Sequence, residues 1–334
     1  MNRRQHLGLI LGSALAGALM AGAAAPVLAQ DNYPSKPVQL IVPFPAGGVV
    51  DIVGRKIAEK WKDDFGQPVL IVNKPGANGV VAWQGFNSLP PDGYNIVAPA
   101  GQGLGFVHKM NSRITSTFLN DFVPVAAYAN YPVVILVNKS LPVNSLKELA
   151  AYATRNPKTL SYGTTGVGSG GHFLFELYKS SAKVPDEALP PTHYAGIAPE
   201  LTALLGNHIQ VAIMPLNSLA AQQIEAGAIR ALAVSADKRS PFRKEIPTVV
   251  EEGFPELVAR DYLTYWVPAK TPAPVVRKLA EATRAALQDK DVLKTLQDLY
   301  LEAEYQDGAG ARKQFEQRAA QFEPLIKKLD IKLQ

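Results

Sequence analysis

Short apolar runs alternate with amphipathic segments along most of the chain from residue 38 onwards. The runs are rich in Val, Ile and Leu, and they predict buried strands over 38–44, 68–79 with a glycine-rich loop at its end, 95–100, 132–140, 159–165, 208–214 and 229–235. Apolar residues three or four positions apart predict helices over 49–66, 145–157, 198–205 and 216–226. Strands and helices that alternate in this order predict parallel βαβ units, and therefore an α/β fold with two lobes.

The last third of the chain adds three amphipathic segments, which predict helices over 273–288, 291–301 and 311–328. We expect these helices to pack on a lobe rather than to form a separate domain. The chain of 334 residues is long enough for two domains.

The N-terminal segment has the pattern of an export signal. Arg3 and Arg4 precede an uncharged run rich in Leu, Ala and Gly, which ends at Val27-Leu28-Ala29. Small or apolar residues at these positions predict cleavage after Ala29, so residues 1–29 are a signal peptide and the mature protein is periplasmic. A single membrane anchor is the alternative, and the paired arginines leave the general and the twin-arginine export routes both open.

Composition excludes several classes of protein. Residues 1–29 hold two arginines and no acid, so the 34 basic and 29 acidic residues of the whole chain become 32 and 29 in the mature protein. This small excess argues against nucleic acid as a partner. The chain has no cysteine, its five histidines show no metal-ligand spacing, and no metal site is expected. No second apolar run approaches the ~18 residues of a membrane span.

The stretch GTTGVGSGGHFLFELY at 163–178 contains the spacing G-x-G-x-x-G at Gly166, Gly168 and Gly171. A dinucleotide site would need an acidic residue ~20 positions further on, at the end of a second strand. Asp186 comes too early, in a loop bounded by prolines. A nucleophile elbow would need Gly at Val167 and a phosphate-binding P-loop would need Lys at His172, so neither motif is met.

The physics that these motifs share still applies to this stretch. The first N–H groups of a helix lack intrahelical partners and carry a partial positive charge, so a glycine-lined helix start accepts an anion. Thr164, Thr165 and Ser169 can add hydroxyl donors. The alternative is a simple turn in which Ser169 caps the helix.

A similar strand, Gly-Gly turn and helix occur at 43–61, in PFPAGGVVDIVGRKIAEKW. Two such turns, one in each lobe, predict a clamp for a carboxylate in a cleft between the lobes. Asp51 would repel that anion unless water bridges them or its carboxylate holds a backbone N–H. Stabilisation of the helix N-terminus is its alternative role.

Ordered segments over nearly the whole mature chain carry a family resemblance. They are YPSKPVQLIVPFPAGGVVDIVGRKIAEKW, FGQPVLIVNKPGANG, LPPDGY, the glycine stretch with His172 and Glu176, HYAGIAPELTALLGNHI, IEAGAIRALAVSADKRSPFRKEIPTVVEEGFPEL and VPAKTPAPVVRKL. Together they resemble the Bug family of periplasmic solute receptors, the substrate-binding proteins of tripartite tricarboxylate transporters.

The resemblance implies a type II-like periplasmic binding protein fold with the ligand cleft between its lobes. Lobe 1 would comprise 30–128 and 236–334 and lobe 2 would comprise 129–235, with hinges near 127–132 and 234–240. It implies a monomer that binds a small organic acid without catalysis or cofactor, and partners that are either permease subunits or a sensor.

The resemblance also implies where the ligand binds, at the two turns chosen above on physical grounds. Gln102, in the loop after the third strand, and two positions at which the chain departs from the family complete the candidate set. The candidates are Phe44, Ala46, Gly47, Gly48, Val49, Val50, Asp51, Gln102, Thr164, Thr165, Val167, Ser169, Gly170, His172, Ala195 and Met214.

Departures from the family pattern bear on the ligand. Val167 stands where the family often has Asn, Ala195 stands where it often has Lys, and Gln210 and Met214 stand where it has acids. These changes make a pocket wall more apolar, which favours a monocarboxylate or an acid with an aromatic or aliphatic body. Met214 in the core and Gln210 facing solvent are the alternatives. An exported hydrolase of carboxylic esters and a nucleotide-cofactor enzyme using GVGSGG are the alternative functions.

Overall fold

The computed structural model describes residues 32–76, 82, 85–86, 88–100 and 118–329, which form two β-sheets flanked by helices. The predicted signal peptide lies outside the described residues. The strands in this part of the chain are β1 (Val38–Val42), β2 (Val69–Asn73), β3 (Asn95–Val97), β4 (Phe122–Tyr131), β5 (Val133–Asn138), β6 (Tyr162–Thr164), β7 (Pro191–His193), β8 (Val211–Pro215), β9 (Ile229–Val234), β10 (Asp261–Pro268) and β11 (Glu302–Asp307).

The helices occupy the segments between and after these strands. They are α1 (Val49–Phe65), α2 (Phe118–Asp121), α3 (Leu146–Arg155), α4 (Gly170–Ser181), α5 (Ile197–Leu205), α6 (Ser218–Glu225), α7 (Ala273–Ala286), α8 (Lys290–Asp298) and α9 (Gly308–Leu329). Ser145 caps the N-terminus of α3, because its side chain accepts from the Glu148 N–H. No described helix combines the length and the apolar character that crossing a bilayer requires.

The first sheet has the order β11-β4-β10-β3-β1-β2, and the second has the order β7-β6-β8-β5-β9. Three strands of the first sheet, β4, β10 and β11, were not predicted from the sequence. Every residue of β10 and nearly every residue of β4 is buried, so neither strand shows the two-residue alternation of a half-buried strand. The β11 sequence EAEYQD is too polar for an apolar run.

Each sheet has its own hydrophobic core. Trp61, Tyr128 and Tyr265 lie in the core of the first sheet. The segment before β10 packs with the second sheet, where Phe254 and Leu257 belong to its core. These contacts favour a lobe boundary closer to β10 than to residue 235.

The C-terminal helix α9 contacts both halves of the molecule. Near its start, Phe315 packs on Phe118 and on Trp266 of the first sheet. Further along, Phe322 packs on Phe173 of α4 with ring centroids 5.3 Å apart. α9 therefore bridges the two halves.

Strand register shows which edge of the first sheet faces the second. The chain crosses between the sheets at Pro132, and β10 begins at Asp261, which pairs with Tyr131 at the end of β4. β3 runs antiparallel to β10, and Ala100 just beyond it pairs with Leu263. β1 is parallel to β3, so the turn after β1 lies at the edge that faces the crossing.

The same reasoning applies to the second sheet. β5 begins at Val133, directly after the crossing, and pairs antiparallel with β8 so that Val133 lies opposite Pro215. β6 is parallel to β8, and β7 is parallel to β6. The turns after β6 and β7 therefore lie at the edge that faces the first sheet.

Candidate functional site

The first turn, residues 43–48, joins β1 to α1 and is held by the side chain of Asp51. Asp51 Oδ2 accepts from the Gly47 N–H at 2.9 Å and from Arg55 Nε at 3.0 Å. Asn73 Nδ2 donates to Asp51 Oδ1 at 3.0 Å and to the Phe44 carbonyl at 3.1 Å. The Asp51 carboxylate therefore holds the first turn in shape. A hydrogen bond from a backbone N–H to this carboxylate was one of the two arrangements that the sequence analysis considered compatible with a bound anion.

The charge of Asp51 is stabilised where it lies. Its residue is 2% exposed, and this burial alone would raise the pKa of its carboxyl. Hydrogen bonds from Arg55, Gly47 and Asn73 outweigh that effect and lower the pKa. The group is therefore an anion whose charge is already balanced locally.

The start of α1 presents backbone donors at this turn. Its N-cap is Gly48, which has no side chain to cap the helix. Within the described residues, the N–H groups of Val49, Val50 and Asp51 donate no hydrogen bond. The Val50 side chain packs in the core of the first sheet, so only its backbone is available to a ligand.

The second turn, residues 164–169, joins β6 to α4. Thr164 is fully buried, and its Oγ1 donates to the Gly166 carbonyl at 3.1 Å and lies 2.8 Å from His193 Nδ1. Ser169 is the N-cap of α4, and its Oγ accepts from the His172 N–H at 3.2 Å. Ser169 therefore caps the helix, and its hydroxyl hydrogen can still be donated to another group.

The buried side chain of His172 holds the second turn by a hydrogen bond to its backbone. The residue is 4% exposed, and its Nδ1 accepts from the Gly168 N–H at 3.2 Å. Burial, together with the nearby His193 and Lys179, lowers the pKa of His172 to about 3. The imidazole is therefore neutral at ordinary pH and remains an acceptor for Gly168.

The first N–H groups of α4 resemble those of α1. Within the part of the chain that is described, the N–H groups of Gly170 and Gly171 have no hydrogen-bond partner. Only glycine fits at position 171, because a Cβ there would lie 2.9 Å from the Ile213 carbonyl oxygen, and a Cβ on Gly170 would lie 2.9 Å from Asp261 Oδ2 and displace that side chain. Both helix starts therefore offer backbone donors at the edges of the sheets that face each other.

The remaining candidates divide by exposure. Ala46, Gly47 and Ala195 are exposed. Phe44, Gly48, Val49, Thr165 and Val167 are half-buried at the same turns. Gln102 lies outside the described residues.

Two positions used to infer an apolar pocket have structural roles. Met214 is fully buried and packs in a core cluster of the second sheet. Gln210 Oε1 accepts from the Ser161 N–H at 3.0 Å, and its Nε2 donates to the Asn207 carbonyl. Neither side chain therefore offers evidence about a ligand.

Sequence reasoning missed two residues that shape the turns, Asn73 and His193. Asn73 is the last residue of β2, beside β1, and His193 is the last residue of β7, beside β6. A polar residue at the carboxyl end of a strand next to a candidate turn was the signal that could have found both. The described residues contain no cluster of His, Asp or Glu suited to a metal ion.

Two lobes that present helix starts to each other define a solute-binding protein fold. The model of the tripartite tricarboxylate transporter family receptor matches residues 53–331, and the chain belongs to this family. It is 33% identical over 278 residues to Protein BugT of Bordetella pertussis (strain Tohama I), with 82% of each chain covered. The predicted family is confirmed.

Solved structures with the same fold include periplasmic binding proteins. The periplasmic binding protein BugD is 29% identical with a TM-score of 0.74, and the match covers 90% of this chain and 100% of that chain. An R. palustris protein solved with adipate is 30% identical with a TM-score of 0.76, covering 88% and 97%. The predicted two-lobed fold is confirmed, and these relatives imply a periplasmic location.

Proposed function

We propose that this receptor captures a small organic carboxylate between its two lobes and releases it unchanged. The observation that carries the proposal is the pair of helix starts with backbone donors at Val49–Asp51 and at Gly170 and Gly171. Charge-assisted hydrogen bonds contribute ~1.5–3 kcal/mol each, so three or four account for much of the ~8 kcal/mol of micromolar binding.

Fewer side chains are proposed to contact the ligand than the sequence analysis predicted. Asp51, Thr164 and His172 shape the turns through their side chains, and Met214 is left out because it is buried in the core. The contacts that we propose for the ligand are the backbone N–H groups of Val49, Val50, Asp51, Gly170 and Gly171. The N–H groups of Gly47 and Gly48 already donate to Asp51 and to Pro45, so these two glycines are proposed to lie around the ligand together with Phe44, Ala46, Thr165, Val167, Ser169 and Ala195. Gln102 stays a proposed contact from the sequence alone.

The ligand that we propose has an apolar body, as a monocarboxylate or an aromatic or aliphatic acid. The argument now rests on Val167 and Ala195, which lie at the turns after β6 and β7 and carry no charge. The protein solved with adipate supports a carboxylate ligand with an aliphatic body. The mature protein begins after Ala29 in this proposal, closes by hinge bending near 127–132 and between β9 and β10, and delivers to a permease or a sensor.

A thermal-shift screen of the mature protein tests this proposal. The panel holds mono-, di- and tricarboxylates, aromatic acids and amino acids, because a ligand that binds only the folded state raises the midpoint. At a ligand concentration of ~100 times Kd the stabilisation is ~2.7 kcal/mol. A shift with benzoate-like or adipate-like acids supports the proposal. A shift with citrate alone contradicts the apolar body, and no shift with any acid contradicts carboxylate capture.

A further inference from the structure

The buried face of α4 carries polar side chains from its start to its last turn. His172, Glu176 and Lys179 are four and three residues apart, which places them on one face of the helix. They are 4%, 4% and 2% exposed. We call these three residues the polar stripe of α4.

Each member of the polar stripe is tied to a neighbour by directional contacts. Tyr162 of β6 donates to Glu176 Oε1 at 2.5 Å, and Lys179 Nζ donates to both Glu176 oxygens at 2.9 and 3.2 Å. The His172 ring lies edge-on to His193 of β7, with centroids 4.6 Å apart. The stripe thus connects α4 to β6, which leads into the second turn, and to β7 beside it.

Stability alone does not explain this buried ion pair. Taking a carboxylate and an ammonium out of water costs several kcal/mol each, and apolar side chains of similar size do as well or better. α4 already has apolar anchors, since Leu174, Phe175 and Tyr178 lie in the core of the second sheet and Phe173 packs on α9. Apolar packing tolerates small rotations of a helix, whereas hydrogen bonds depend on direction.

The start of α4 is where rotation matters. His172 accepts from Gly168 inside the second turn, and Gly168 lies two residues before Gly170, where the free N–H groups of Gly170 and Gly171 begin. Gly171 lies so close to Ile213 that a Cβ would meet its carbonyl oxygen at 2.9 Å. A small rotation of the helix would therefore both strain this contact and turn the two donors away from the cleft.

We propose that the polar stripe of α4, with Tyr162 and His193, is a positioning device that fixes the rotation of α4 and so aims the Gly170 and Gly171 N–H groups at a carboxylate. The carboxylate ligand in this proposal rests on the proposed function, whereas the effect of the polar stripe on the start of α4 does not. In this proposal Glu176, Lys179 and Tyr162 do not contact the ligand. They affect its binding only by fixing the orientation of α4 and therefore of the second turn.

The test replaces the directional contacts by apolar side chains of similar volume. The variant Tyr162→Phe/Glu176→Leu/Lys179→Met leaves none of the three polar partners unpaired, so it is expected to fold. The control is Lys294→Met/Asp298→Leu, which removes an exposed ion pair from α8 in the other half of the molecule. Tyr162→Phe alone is the second variant if the triple variant does not fold.

Two readouts decide the outcome. In the ligand-free protein, backbone hydrogen–deuterium exchange over residues 163–172 is expected to be faster in the triple variant than in the unaltered protein, and unchanged in the control. Affinity for adipate, measured by calorimetry, is expected to fall by about tenfold, the equivalent of one hydrogen bond. Unchanged exchange over 163–172 in a folded variant overturns the proposal. If the unaltered protein binds no adipate, the proposed ligand class is at fault, and the exchange readout still decides the role of the stripe.

Discussion

Glu200 offers a test of the structure through the pH dependence of stability. The residue lies in the first turn of α5 and is fully buried. Its Oε1 accepts from the Ile213 N–H at 3.1 Å, whereas its Oε2 has no hydrogen-bond partner among the described residues. Burial, partly offset by the hydrogen bond from the Ile213 N–H, raises the pKa of this carboxyl from 4.5 to about 8.

The sign of the effect follows from proton binding. Between pH 4.5 and about 8 the folded protein keeps a proton on Glu200 that the unfolded chain has lost. The free energy of unfolding therefore falls as pH rises, by ~1.4 kcal/mol for each pH unit. Over the whole interval the loss is ~5 kcal/mol, and above it the carboxylate is ionised and buried.

Glu200→Gln removes this titration and keeps an acceptor for the Ile213 N–H. Urea unfolding followed by circular dichroism at pH 5, 7 and 9 measures the free energy of unfolding of both proteins. The variant is expected to gain stability relative to the unaltered protein by ~3–5 kcal/mol between pH 5 and pH 9. The exposed Glu225→Gln is the matched control. A difference between Glu200→Gln and the unaltered protein that does not change with pH would refute the account of this buried carboxyl.

Two further substitutions test the second turn. Ser169→Ala removes the cap on the His172 N–H, and urea unfolding is expected to show a loss of ~1 kcal/mol. Calorimetry is expected to show carboxylate binding weakened by a similar ~1 kcal/mol, and unchanged affinity would limit Ser169 to its capping role. Gly171→Ala places a Cβ 2.9 Å from the Ile213 carbonyl oxygen, so affinity for the same acid is expected to fall by about tenfold as the donors shift. Gly85→Ala, whose Cβ would meet nothing within 4 Å, is its control, and equal affinity in both glycine variants would contradict this reasoning.

Local pattern was enough for the elements that flank the two turns. β1 and α1 were predicted over 38–44 and 49–66, and the structure has them at Val38–Val42 and Val49–Phe65. Apolar runs and three-to-four periodicity are set by neighbours along the chain, so a sequence reveals them. β4 and β10 depend instead on burial from both faces by distant segments, which removes the alternation that would have marked them.

The candidate site shows the same division. The glycine turns could be found because backbone exposure at a helix start needs only a local pattern. Met214 could not be assigned from the sequence, because a residue at a strand end faces either the cleft or the core according to tertiary packing. Asn73 reaches the first turn from a neighbouring strand, and only the sheet order brings the two together.

The central claim is that backbone N–H groups at two helix starts bind a carboxylate. The most direct test compares one acid from the screen with its primary amide, which has the same body and no negative charge. Calorimetric titration of the mature protein is expected to show that the acid binds and that the amide binds at least ~100-fold more weakly, because two or more charge-assisted hydrogen bonds lose their charge. An amide that binds as tightly as its acid would contradict the carboxylate clamp.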